Sequence, residues 1–166
     1  MSILNTIRLR CVKRVRLLSR YHPDEEEAEA VFGAILEHEG IRELNISQNQ
    51  ISKVNPDTLA RAVNSMEQVG YHFQYISSYY CVLQVNLFNA KLNGDQVRSL
   101  YTQMAAPDTR LRLVSMGCVD ISGVAPDITA RALNRLQIAR LCNTNITTNQ
   151  LNETLRYPYL LLSSFF

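Results

Sequence analysis

The apolar positions of this chain fall into a recurring ladder. Ile41, Leu44, Ile46 and Ile51 stand at positions 1, 4, 6 and 11 of one segment. Val82, Val85, Leu87 and Leu92 repeat that spacing, as do Leu111, Val114, Met116 and Ile121, and Leu136, Ala139, Leu141 and Ile146. Positions 4 and 6 alternate with polar neighbours, which predicts a short strand with one buried face. Position 11 returns to the core after a turn. The next apolar residues, Leu59, Ala60, Val63 and Met66, change to helical spacing. Pro56 and Pro126 suit a first helical turn, and Thr147 to Gln150 has the spacing of a capping box.

These segments are copies of one another. IRELNISQNQISKVNPDTLARAVNSME (41–67) aligns without a gap on LRLVSMGCVDISGVAPDITARALNRLQ (111–137), at an offset of 70. Pro56-Asp57 falls on Pro126-Asp127, and Ala60-Arg61-Ala62 on Ala130-Arg131-Ala132. A second unit type, VNLFNAKLNGDQVRSL (85–100), aligns on ARLCNTNITTNQLNETL (139–155) at an offset of 54, with Gln96 over Gln150. Two unit types, A and B, therefore alternate. The apolar spacing of AEAVFGAIL (28–36) matches the helical part of a unit and marks a piece of an earlier one.

The two offsets differ by 16 residues, which places an insertion at about 69–84, VGYHFQYISSYYCVLQ. The segment is aromatic and uncharged, and matches nothing else in the chain. The ends of this segment and the break of register at Arg156-Tyr157 can both be encoded by splice-site-like codons. That motivates an alternative reading, in which 69–84 and the apolar tail 157–166 are translated intron and the chain is a partial product of a larger protein without independent function. The tail, YPYLLLSSFF, offers a route to self-association.

The spacing L-x-x-L-x-L-x-x-N-x-L, in alternating units of about 25 and 29 residues once the insertion is removed, resembles the leucine-rich repeat family in its ribonuclease-inhibitor-like subclass. The resemblance implies an α/β solenoid: a curved parallel sheet on the concave side and helices on the convex side. Four strand-bearing units are expected in an array over 25–156, preceded by a basic flank, 1–24, that is irregular or partly helical. The family's turn asparagine survives as Asn49, while Ala90, Val119 and Thr144 replace it in the other units.

The resemblance also implies a function. Such proteins are non-catalytic scaffolds that bind a protein partner on the concave face. Here the strand positions between core residues include Arg42, Glu43, Asn45, Ser47, Asn86, Phe88, Arg112, Ser115 and Arg140. Arg42, Arg112 and Arg140 are expected to line up as a basic stripe with Phe88 as an aromatic anchor, both being residue types that dominate interfaces.

Composition narrows the field. The net charge of +2 is uneven: residues 1–20 hold six Lys and Arg and no acid, and the remainder, with 11 basic and 15 acidic residues, stands at −4. A mildly acidic body argues against nucleic acid as the partner. No apolar run reaches the ~18 residues a membrane span needs. Cys11, Cys81, Cys118 and Cys142 form no CxxC pair and fit a reducing, cytoplasmic setting. His22, His38 and His72 are scattered, without metal-ligand spacing, and no P-loop, G-x-S-x-G or G-x-G-x-x-G occurs, so neither cofactor nor enzyme chemistry is expected. His38 reads as an exposed helix end. Asp24 to Glu27 precede a helix, where acids favour the dipole.

Overall fold

The computed structural model describes residues 7, 12–17, 20–38, 41–65, 84–109 and 111–156. Its elements alternate strictly: β1 (Arg14–Arg16), α1 (Glu25–Glu37), β2 (Glu43–Asn45), α2 (Pro56–Ser65), β3 (Gln84–Asn86), α3 (Gly94–Met104), β4 (Leu113–Ser115), α4 (Pro126–Asn134), β5 (Ile138–Arg140) and α5 (Thr148–Leu155). The protein is α/β. Among the described residues five strands form one parallel sheet in the order β1-β2-β3-β4-β5, and each strand is followed in sequence by a helix. Each helix packs on the next in the same order.

The register is uniform. Val15, Leu44, Val85, Val114 and Ala139 pair across the four junctions. Each is 6% exposed or less, as a ladder of inward side chains must be. Leu17, Ile46, Leu87, Met116 and Leu141, two residues further along, are buried too. These two ladders and the helix residues Phe32, Ile35, Leu59, Ala60, Leu100, Tyr101, Ala132 and Leu133 lie on or near zero exposure, and all but Ala130 and the polar residues of the buried set join one continuous core.

Local chemistry explains the helix starts. Asp24 caps α1 by accepting from Glu27 N at 2.8 Å, and Glu25, Glu26 and Glu27 fill the first turn, where the helix dipole favours negative charge. Asn55 Oδ1 accepts from the backbone N–H groups of Asp57 and Thr58 at the start of α2. Capping boxes open α3, with Asn93 and Gln96, and α5, with Thr147 and Gln150. α4 lacks a capping side chain at Ala125 and relies on Pro126, whose fixed φ suits the first turn.

The turn after each strand is also repeated. Gln48, Asn89, Cys118 and Asn143 all have φ between 51° and 62°, and each lies four residues past its inward ladder residue. Four equal departures at one position of the unit mean that the same backbone path is taken four times.

Two expectations need correction. The basic flank is not simply irregular or helical, because Arg14–Arg16 forms a fifth strand, β1, at one edge of the sheet. Val12, Val15 and Leu17 carry the same 1, 4, 6 spacing as the other units, and the surrounding arginines disguised it. His38, expected to be exposed, closes α1 with its backbone N–H on Ile35 O and is only 8% exposed. Gln84, at the end of the segment placed at about 69–84 and also an expected outward strand position, opens β3. The rest of that segment, 69–83, and the tail, 157–166, lie outside the described residues.

Candidate functional site

Strand alternation puts every second side chain on the face away from the helices. Two rows of that face follow from the register. One is Arg14, Glu43, Gln84, Leu113 and Ile138; the other is Arg16, Asn45, Asn86, Ser115 and Arg140. Ser47, Phe88, Gly117 and Cys142 extend it beyond the strand ends, three residues past the inward ladder. Apart from Gly117, and with Gln84 left aside, these residues are half-buried or exposed.

The rows have a defined chemistry. Arg14 Nε meets Glu43 Oε2 at 2.9 Å across β1 and β2, which neutralises the one carboxylate among the described side chains of these rows. Asn45 Oδ1 accepts from the backbone N–H of Ser47 at 3.0 Å and from its hydroxyl at 2.7 Å. Asn86 Oδ1 accepts in the same way from Phe88 N at 3.0 Å. Both amide oxygens are thus occupied in shaping the turn, and what each amide offers an incoming molecule is its NH2 group, a donor. Arg16 and Arg140 stand exposed at the two ends of the row. Leu113 and Ile138, adjacent across β4 and β5, add a small apolar patch.

Phe88 is built in, not freely projecting. A Cβ placed on Gly117 would come within 2.6 Å of Phe88 Cδ2 and of Cys142 Sγ. Glycine leaves the space into which the phenyl ring and the thiol settle, and Gly117 is buried beneath them. Cys118 and Cys142 are both free thiols, and Cys118 N donates to Cys142 O at 2.9 Å.

The structure gathers seven of the nine expected site residues, Glu43, Asn45, Ser47, Asn86, Phe88, Ser115 and Arg140, on this face, but it does not form the stripe of Arg42, Arg112 and Arg140. Arg42 and Arg112 each directly precede their strand and share the parity of the buried ladder, whereas Arg140 sits in the outward row three positions later. Arg112 Nη1 is turned to Thr109 O at 3.4 Å and Leu111 O at 3.2 Å, on its own connecting loop. Among the described residues, the cations of the outward rows are Arg14, Arg16 and Arg140. Arg14 and Arg16 escaped the sequence reading along with β1, although the apolar spacing of Val12, Val15 and Leu17 would have found them.

The opposite layer has the opposite charge. The helices α1–α5 of the described residues hold nine acidic residues against three arginines, Arg61, Arg98 and Arg131, all three of them exposed. Among the described residues no three His, Cys, Asp or Glu side chains gather into a metal site. No helix of the described residues is long and apolar enough to cross a membrane.

Fold and face together define an α/β protein with a sequentially ordered parallel sheet, one side of which presents polar donors. No protein-family model matches the chain, and no curated protein matches it either.

Proposed function

We propose that the chain is a leucine-rich repeat solenoid of the ribonuclease-inhibitor-like type and that it works as a non-catalytic scaffold, binding a protein partner across the outward face of its sheet. One observation carries this reading: five strands pair in sequence order at a single register, so that equivalent positions of successive units line up in continuous rows. Rows of that kind make an extended surface whose side chains are set independently of the core. The repeated left-handed residue at Gln48, Asn89, Cys118 and Asn143 supports a true repeat as the origin of the rows. Free thiols at Cys118 and Cys142 support a reducing, cytoplasmic setting.

The test is photo-crosslinking of the full chain in cell extract, with a crosslinker at Asn86 or Ser115 on the sheet and at Arg61 or Arg131 on the helices. The reading expects one discrete adduct from the sheet positions, lost when Ser115 is replaced by Trp in a chain labelled at Asn86. Adducts formed only from the helix positions would overturn it.

A further inference from the structure

We propose that the outward face takes an acidic segment in extended conformation, with two carboxylates six residues apart, one on Arg16 and one on Arg140. The inference rests on the preceding reading of the sheet as the binding face and specifies the partner's chemistry.

Charge is the first argument. Of the charged side chains on the described strands, the outward rows hold Arg14, Arg16 and Arg140 against Glu43, and the helix layer carries a net negative charge. The molecule is therefore polarised across its two layers, and an anionic segment is drawn to the sheet and repelled from the helices. The one carboxylate described in the rows is already paired with Arg14. Arg16 and Arg140 keep their positive charge exposed, and neither is ion-paired among the described residues.

Hydrogen-bonding capacity is the second. Between the two arginines lie Asn45, Asn86 and Ser115. Both asparagine oxygens are consumed by the turns at Ser47 and Phe88, so the row offers amide donors and one hydroxyl. It suits a ligand rich in acceptors, as the backbone carbonyls and carboxylates of an extended peptide are.

Spacing is the third. Arg16 and Arg140 are separated by four strand-to-strand steps, or about 19 Å at ~4.8 Å each. An extended peptide rises ~3.3 Å per residue, so about six residues cover that distance, and an even interval keeps both carboxylates on one face of the peptide. An apolar residue two positions before the second carboxylate stays on the same face of the peptide and passes over β4, beside the patch of Leu113 and Ile138. Two exposed arginines at this separation are too sparse for a polyanion, which needs closely set cations.

The probe is a set of fluorescein-labelled ten-residue peptides of serine and threonine with one leucine. One carries two glutamates six positions apart, one carries them three positions apart, and one carries lysines at the six-residue spacing. Anisotropy against the full chain at low salt is expected to rank them in that order, with the lysine peptide not binding. Arg16→Glu or Arg140→Glu should each weaken the first peptide at least tenfold, and the double variant should bind the lysine peptide instead. Arg131→Glu, on the helix layer, should leave binding unchanged. Equal binding of the glutamate and lysine peptides, or no binding by about 1 mM, overturns the acidic-partner inference. If binding is independent of charge but is lost in Ser115→Trp, the sheet remains the binding face and only the charge argument falls. Binding untouched by Ser115→Trp and by Asn86→Trp overturns the choice of face as well.

Discussion

Gln96 and Gln150, 54 residues apart, make the same bonds. Gln96 Nε2 donates to Ile51 O and Val54 O, both at 2.7 Å, while its Oε1 accepts from Asn93 N at 2.9 Å. Gln150 Nε2 donates to Ile121 O and Val124 O, again at 2.7 Å, and its Oε1 accepts from Thr147 N at 2.8 Å. Both side chains are fully buried. One amide thus caps its own helix and, through its nitrogen, ties that helix to the turn of the unit before it. Each A unit is fastened to the following B unit by this side chain.

Replacing Gln96 by Leu therefore takes the amide donor from the buried Val54 carbonyl and the acceptor from the helix-start N–H of Asn93, while Ile51 O keeps the Val54 N–H at 3.0 Å. At ~1–3 kcal/mol for each of these two unsatisfied groups, the loss should be about 2 kcal/mol or more in urea unfolding. Gln96→Glu should do no better, because a carboxylate in that place faces two carbonyl oxygens. Gln150→Leu should act more locally, with faster amide exchange in β5 and α5 before any global effect. A change under 0.5 kcal/mol in Gln96→Leu would show that the fastening is not structural.

Gly117 and Phe88 should be energetically coupled. Gly117→Ala places a Cβ within 2.6 Å of the Phe88 ring and of Cys142 Sγ, so both must shift. The expected cost is about 1–2 kcal/mol. Phe88→Ala combined with Gly117→Ala should recover part of it, and adding Cys142→Ala the remainder. A double-mutant cycle with no coupling between positions 88 and 117 would mean that the ring already leaves this seat in solution.

Tyr101 sets an alkaline limit. Its side chain is 0% exposed and its hydroxyl has no hydrogen-bond partner among the described residues. Burial holds the phenol proton well above the ordinary tyrosine range. A folded pKa raised above the unfolded one means that stability is whole below the unfolded value, about 10, and falls as pH rises past it. Tyr101→Phe should be neutral or stabilising by up to about 1 kcal/mol at pH 7, with a weaker loss of stability on passing to pH 11. A destabilised Phe variant at neutral pH would indicate that the hydroxyl is in fact satisfied.

The connection between α2 and β3 is long, running over 66–83, whereas its counterpart between α4 and β5 runs only over 135–137. Removing 68–83 joins Glu67 to Gln84 and restores the offset of the repeat, with Met66 standing where Leu136 stands. The shortened chain should fold cooperatively and gain about 1.5 kcal/mol from reduced loop closure. Failure of the deletion variant to fold would show that the segment belongs to the structure of the unit.

The inward ladder was legible because burial leaves an unmistakable spacing: Leu44, Val85, Val114 and Ala139 were named in order, and they pair in order. The alignment of Gln96 on Gln150 was also visible, yet nothing in a capping-box pattern tells that the amide nitrogen is buried against another unit's carbonyls. β1 escaped because three residues are enough for a strand here, and in Arg14–Arg16 two of them are arginines. The stripe of Arg42, Arg112 and Arg140 failed on parity. Like residues align across a sheet only at equal distance from the inward ladder, and Arg140 lies one residue after Ala139 whereas Arg42 and Arg112 lie two residues before Leu44 and Val114. His38 misled because flanking glutamates suggest solvent, although the residue that ends a helix can turn back onto the core.

The glutamine fastening has a consequence for how such a chain grows. A second copy of residues 87–140 spliced in after Arg140 would begin with Leu87 in the place of Leu141, and its Gln96 would find the carbonyls of Ile121 and Val124 already waiting where Gln150 now meets them. Gene duplication in steps of 54 codons would thus lengthen the protein without inventing a single new joint, and each step would widen the outward side of the sheet by two strands.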